Sequence, residues 1–284
     1  MRVRLPSVTI SAMTPDASVH ATPVPAGERW RQDIRDAAVP QRILDGGPDR
    51  PFSLEPEMFR WRPDEDARQA PRPSRLRALE ALPDGGSVLD VGVGGGASSL
   101  GLAPKAGLIT GVDRLEGMLA SFEASAAETG VAARAVLGAW PDVADQVEPA
   151  DVAVSHHALY GTEDIEGFFA ALTARARHRV VLEVSSHAPP LGLNPLWRHI
   201  HGEERADRVV ADVIEEVLVA MGFAPTREDI VLPAAVREVT PERVAFARRR
   251  LHVGEDRDEE IAELLRTLEP LPHRVAALWW PGAA

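Results

Sequence analysis

The chain reads as an α/β protein wound on both faces of a mostly parallel sheet, and three observations predict it. Val88, Leu89, Val91 and Val93 form the β-branched apolar run of a strand buried on both sides, and the run ends in a cluster of glycines. A second such run, Leu108-Ile109-Thr110-Gly111-Val112, closes on Asp113, roughly twenty residues past Asp90. Further apolar runs at 131–137, 151–154 and 179–184 then alternate with helix-like segments, the order of a parallel sheet with crossover helices.

The elements follow in order. Residues 1–27 are rich in Ser, Thr, Pro and Ala without periodicity, and a poorly ordered tail is expected. Pro6, Ser7 and Thr9 interrupt the apolar residues after Arg2 and Arg4, which argues against a secretory signal; Met13 offers an alternative start. Residues 28–83 read as an N-terminal helical lid or clasp. Trp30, Ile34, Ala37, Ala38 and Leu44 recur near helical spacing until Gly46-Gly47-Pro48 stops them. Phe52, Leu54, Met58, Phe59 and Trp61 follow in a proline-punctuated stretch. Five large apolar residues there either cover a ligand or fill a groove of the core, and both readings stay open. Ser74 is read as the cap of a helix through Leu82 with Leu76, Leu79 and Leu82 on one face.

Residues 84–284 hold the main domain. After Asp113, Leu115 to Thr129 reads as a helix with Met118, Leu119 and Phe122 inward, stopped by Gly130. Val131–Leu137, Asp151–Val154 and Arg179–Val184 are strands three to five, with a helix over Gly167–Arg177. Ser185 to Gly202 is long enough for a pocket wall, Val209–Met221 is an amphipathic helix, and Asp229–Leu232 and Val275–Trp280 supply the last strands. Between them lies an insertion, about 237–270, that reads as helical: Thr240 caps a helix through Leu251, and Ile261–Leu268 makes another. Arg248-Arg249-Arg250 stand beside Glu255, Asp256, Asp258, Glu259 and Glu260, the composition of a solvated face.

The chemistry concentrates at the first glycine turn. Gly92, Gly94 and Gly96 permit positive φ or close backbone approach, and Ala97-Ser98-Ser99-Leu100 is expected to open a helix whose free N–H groups favour an anion. Gly92-x-Gly94-x-x-Ala97 also satisfies a dinucleotide fingerprint. Asp90 argues against that ligand, because a carboxylate about 4 Å from a pyrophosphate repels it by ~4 kcal/mol at an effective dielectric of 20. S-adenosylmethionine reverses the sign: its ammonium suits Asp90, directly or through water, its carboxylate suits a helix N-terminus, and its sulfonium tolerates nearby negative charge. Asp113 is placed to accept from two ribose hydroxyls.

The run Asp90-Val91-Gly92-Val93-Gly94-Gly95-Gly96, preceded by two apolar residues, resembles the first motif of the class I S-adenosylmethionine-dependent methyltransferases, most closely a bacterial group of such enzymes. The resemblance spans about Leu76 to Val236 plus the last strand. It implies a Rossmann-like, doubly wound seven-stranded sheet with the last strand antiparallel, and S-adenosylmethionine as cofactor, but no substrate. It also implies that Gly138-Ala139-Trp140-Pro141 meets the adenine. The acidic group that relatives place there is absent or displaced to Asp142, and Trp140 either stacks on the ring or packs in the core. The cofactor-binding set expected is therefore Asp90, Gly92, Gly94, Gly96, Asp113, Ala139, Trp140 and Ser155.

Ser155-His156-His157 follows the fourth strand at the carboxyl edge, where open α/β sheets bind ligands. A hydroxyl acceptor must lose a proton, and His157 or, second, His156 is the candidate base; each is also open to a purely structural role. The Asn/Asp-Pro-Pro-aromatic motif of amine-directed relatives is missing after Val154. Ser155-His156 and Ser185-Ser186-His187 replace the acidic set of metal-dependent relatives, so metal-independent transfer to a small molecule, with a hydroxyl preferred, is expected. Rival readings are a noncatalytic S-adenosylmethionine-binding protein and an NAD-linked oxidoreductase. A cytoplasmic enzyme acting as monomer or homodimer is expected. The chain has 284 residues, 45% of them hydrophobic, and a net charge of −12 that works against nucleic acid and anionic membrane as partners. It has no cysteine, hence no thiolate chemistry, and Lys105 is its only lysine.

Overall fold

A computed structural model describes residues 24–47, 56–64, 72–189, 191–232, 234 and 238–283. The expected tail over 1–23, Phe52 and Leu54 of the clasp, and the start of the insertion at 237 lie outside the described residues. Seven strands form one sheet: β1 (Gly86–Val91), β2 (Ala106–Asp113), β3 (Ala132–Leu137), β4 (Ala150–His156), β5 (Ala176–Ser185), β6 (Thr226–Leu232) and β7 (His273–Pro281), in the order β3-β2-β1-β4-β5-β7-β6. The first five pair in parallel, and β7 runs antiparallel to both β5 and β6. The reversal of strand order between β1 and β4 opens a crevice at their carboxyl ends.

Period-two alternation sorts the side chains between two cores. Val88, Ile109, Val152, Val154 and Val181 face helices α3 (Pro73–Ala81) and α4 (Glu116–Thr129) through Ala78, Leu82, Leu119 and Phe122. Leu89, Val91, Ala153, Val180, Leu182 and Val184 face α5 (Ile165–Ala174) and α7 (Ala211–Ala220). Helix α1 (Ala26–Asp36) joins this second face: Trp30 is fully buried and donates its indole N–H to Thr162 O at 2.7 Å. The other N-terminal helix, α2 (Gln41–Gly46), packs elsewhere. Its Ile43 belongs to a separate small core with Leu196 and Trp197 of α6 (Asn194–His201), Val244, Ala247 and Leu251 of α8 (Pro241–Leu251), and Ile261 and Leu265 of α9 (Asp258–Thr267). Ala37-Ala38-Val39-Pro40 thus divides what the periodicity reads as one helix.

Four further readings are corrected. Residues 97–100 do not open an α-helix; the link from the glycine turn to β2 is a short 3-10 turn, Leu100–Leu102. It is short, and Gly101 and Pro104 within it oppose a regular helix. Ser74 does not cap α3, because Arg72 holds the cap position and the Ser74 side chain is buried against β5. Ser185–Gly202 is no pocket wall: it contains α6, which turns away into the insertion core. Finally, Arg248 pairs with Asp258 at 2.6 Å as a solvated face would, but Arg250 lies over the Phe246 ring and is half-buried.

Candidate active site

The glycine turn is held by its two flanking carboxylates. Gly94 adopts φ +53 and donates its N–H to Asp113 Oδ2 at 3.0 Å, while Leu115 N–H binds Asp113 Oδ1 at 3.0 Å. Asp113 therefore faces the turn from the end of β2 and fixes its backbone. Gly92, at φ +74, leaves no space for a side chain: a Cβ there would stand 2.1 Å from Ala158 Cβ, in the loop after β4. Gly95 is crossed by the N-terminal strap Pro56–Arg62, whose Arg60 makes isolated bridges to Gly95 and Gly96 and whose Trp61 N–H reaches Gly95 O at 3.3 Å.

A cavity of about 730 Å³ lies between turn, strap and strand ends, within the range of small-molecule sites. Gly92, Gly94, Asp113, Ala139, Trp140, His156 and His157 line it, as do Gly95 and Phe59. Three of the expected residues do not. Gly96 turns into the core, where a Cβ would meet Leu100 Cδ1 at 2.5 Å. Ser155 is fully buried and donates to Val91 O at 2.8 Å, tying β4 to β1. Asp90 is fully buried behind the turn, accepting from Ser98 Oγ at 2.6 Å with Oδ1 lacking a partner; burial outweighs the serine bonds and pushes its carboxyl up to about 6. Trp140 packs in the main core and donates to Phe168 O at 3.1 Å, and it also lines the cavity. Asp142 is not among the lining residues.

The end of the cavity away from Asp113 in sequence terms is built by β4, β5 and the start of α3, and it centres on a residue the sequence reading passed over. Glu183 lies on the same face of β5 as Val181, beneath α3, and is 1% exposed. Its carboxylate accepts from Ser74 Oγ at 2.6 Å and from Arg72, and stands 3.2 Å from His157 Nε2. Burial alone would raise its pKa, but the His157 bond, the neighbouring His156 and Arg72, and the Ser74 bond together hold it well below the usual carboxylate range. A single acid inside the apolar run Val180–Val184 was the available signal.

His157 takes φ +55, uncommon for a residue with a side chain, and its N–H is held by Glu183 O at 2.8 Å. Its Nδ1 stands 2.8 Å from the Tyr160 hydroxyl, which accepts from Ser185 N–H at 2.9 Å. An ionised Glu183 can only accept, so in the neutral ring Nε2 carries the hydrogen, Nδ1 is the basic nitrogen and Tyr160 donates to it. His156, paired in register with Glu183, has an Nε2 shut off from water and without a partner. Burial first, and the cations beside it, lower its pKa to about 4, against the opposing pull of Glu183. It is neutral and a poor proton acceptor.

The residues present fit S-adenosylmethionine. Gly94 meets nothing nearer than Phe59 Cβ at 3.6 Å where a Cβ would stand, so the backbone is open to close approach, and the Asp113 carboxylate borders the same space. Residues 88–178 match the family model described as a methyltransferase domain. The YcgJ protein of Bacillus subtilis superposes with a TM-score of 0.51 at 16% identity, over 74% of this chain and 98% of that one. Magnesium protoporphyrin IX methyltransferase of Synechocystis PCC 6803 with bound S-adenosylhomocysteine gives 0.48 at 19% identity, over 90% of this chain and 93% of that one. No curated protein matches the chain in sequence. The domain match runs from β1 into β5, and together with the seven-stranded order, its antiparallel last strand and the glycine turn buttressed by Asp113 it marks residues 88–178 as a methyltransferase domain.

Proposed function

We propose that the protein methylates a hydroxyl of a small-molecule acceptor, without a metal, and that His157 takes the hydroxyl proton. The observation that supports this is one cavity reaching from the glycine turn to His157, whose Nε2 faces the buried Glu183. When bound, the cofactor supplies an electrophilic methyl group on a sulfonium. The protein's part is to place the acceptor oxygen in line with that methyl group and to exclude water. Glu183 keeps the His157 hydrogen on Nε2, so Nδ1 presents its lone pair where the Tyr160 hydroxyl now donates. An acceptor hydroxyl replacing that donor gives its proton to Nδ1, and Glu183 opposes the positive charge that forms. Asp113 is assigned to the ribose, Trp140 and Ala139 to the adenine, and Asp90 to holding the turn through Ser98.

The test follows a labelled methyl group from S-adenosylmethionine into a panel of phenols and alcohols. A methyl ether and S-adenosylhomocysteine are expected, with His157→Gln slowing turnover roughly 10²–10⁴-fold while S-adenosylhomocysteine affinity holds. Products methylated only at nitrogen or carbon, or an unimpaired Gln variant with methyl transfer limiting, would refute the assignment.

A further inference from the structure

Among the described residues, the cavity is lined by five arginines, Arg60, Arg62, Arg72, Arg75 and Arg114, against two carboxylates, Asp113 and Glu183. That balance is opposite in sign to the chain, whose net charge is −12. Four of the five line the cavity from the strap and the start of α3, together taken as its N-terminal wall. The same wall carries Trp61, whose indole N–H is shut off from water with no partner. We propose that this wall binds a carboxylate on the acceptor, so that the substrate is a hydroxyl-bearing acid. The inference rests on the methyltransfer reading and names its substrate class.

The cofactor does not account for such a wall. Its sulfonium and ammonium are cationic and repel guanidinium groups, and its single carboxylate needs no more than one of them. Arg60 with Glu128 at 2.6 Å and Arg62 with Glu57 at 3.1 Å are exposed pairs, of a kind that holds weakly and exchanges readily. Arg72 shares Glu183 with His157, which puts the cationic wall beside the proposed point of proton transfer. Arg75 donates to Gly101 O at 2.7 Å and is seated by the absence of a side chain there: a Cβ on Gly101 would stand 2.8 Å from Arg75 Cζ. The 3-10 turn that replaces the expected helix thus positions a guanidinium at the cavity. Arginine's planar fork matches a carboxylate in two parallel hydrogen bonds, which a neutral amide of the same shape does not reproduce.

Binding of 4-hydroxybenzoate, salicylate and 3-hydroxybutyrate, each beside its carboxamide, is measured on protein saturated with S-adenosylhomocysteine. At least one acid should bind tenfold or more tightly than its amide. Arg75→Gln and Arg62→Gln should each reduce that ratio at least threefold, and S-adenosylhomocysteine affinity should stay within twofold. Amides binding as well as acids throughout, no acid binding, or a ratio that survives both substitutions overturns the inference. Loss of the methyltransfer reading would show separately, as failure of the wild type to bind S-adenosylhomocysteine at all. Arg75→Lys, which keeps the charge but not the fork, should retain part of the preference and guards against a folding defect in the Gln variant.

Discussion

Gly94→Ala separates a backbone requirement from a cofactor requirement, because Gly130→Ala supplies a matched control. Both glycines have positive φ, +53 and +77, and neither would meet a clash: a Cβ at Gly94 finds only Phe59 Cβ at 3.6 Å, and one at Gly130 finds nothing within 4 Å. An alanine in the left-handed region costs about 1–2 kcal/mol. For a chain of this size that is a fall in Tm of a few degrees, at about 2–4 °C per kcal/mol. The two variants should therefore unfold at similar, slightly lowered temperatures. They should differ in binding. The added methyl group stands at the cavity surface where the cofactor is proposed to meet bare backbone, and at least a tenfold loss of S-adenosylhomocysteine affinity is expected, about 1.4 kcal/mol or more. Gly130 caps α4 at a distance from the cavity lining, and its variant should bind as the wild type does. Titration calorimetry beside thermal unfolding measures both quantities. Wild-type affinity in Gly94→Ala, or equal losses in both variants, would refute the placement of the cofactor against this turn.

Asp113→Ala removes the acceptor for two backbone N–H groups as well as the one proposed for the ribose. S-adenosylhomocysteine should bind at least tenfold more weakly, since hydrogen bonds to a charged group contribute roughly 1.5–3 kcal/mol each. The wild type's preference for S-adenosylhomocysteine over a 2′,3′-dideoxy analogue should be lost in the variant, and a variant that still discriminates the analogue as the wild type does would assign the ribose to another residue. Asp90 gives a pH signature. Its folded carboxyl is raised to about 6 from 3.8, so the unfolded chain releases that proton first and stability falls as pH climbs through this window, by up to about 3 kcal/mol. His156, lowered to about 4 from 6.5, acts in the opposite sense, adding stability as pH rises from about 4 to 6.5. The wild-type curve alone is therefore ambiguous. The stability of Asp90→Asn relative to wild type should increase by about 2 kcal/mol from pH 4 to 7, and a pH-independent difference in urea melts would refute the buried-acid account.

Much of this protein was legible in local sequence. β-branched runs ending in glycine or acid mark strands whatever packs on them, which is why β1 to β5 fall where Val88–Val93, Leu108–Asp113 and the later runs put them, and why the Asp90-to-Gly96 run implies the cofactor. Spacing also carried Asp113 to the turn, because a strand–turn–strand unit has few ways to close. Other features depend on partners distant in the chain. Whether Gly96, Ser155 and Asp90 face the cavity or the core is decided by which side of a turn the packed neighbours occupy, here Leu100, Val91 O and Ser98. The Glu183 cluster joins residues more than a hundred positions apart, Ser74 and Arg72 to β5, and no local pattern records that approach. The same is true of the strap across Gly95 and of Arg75 on Gly101. Sequence by itself determined the sheet, the glycine turn and the cofactor. Only the tertiary structure decided which histidine meets a carboxylate and which wall is cationic, because those depend on long-range contacts between side chains.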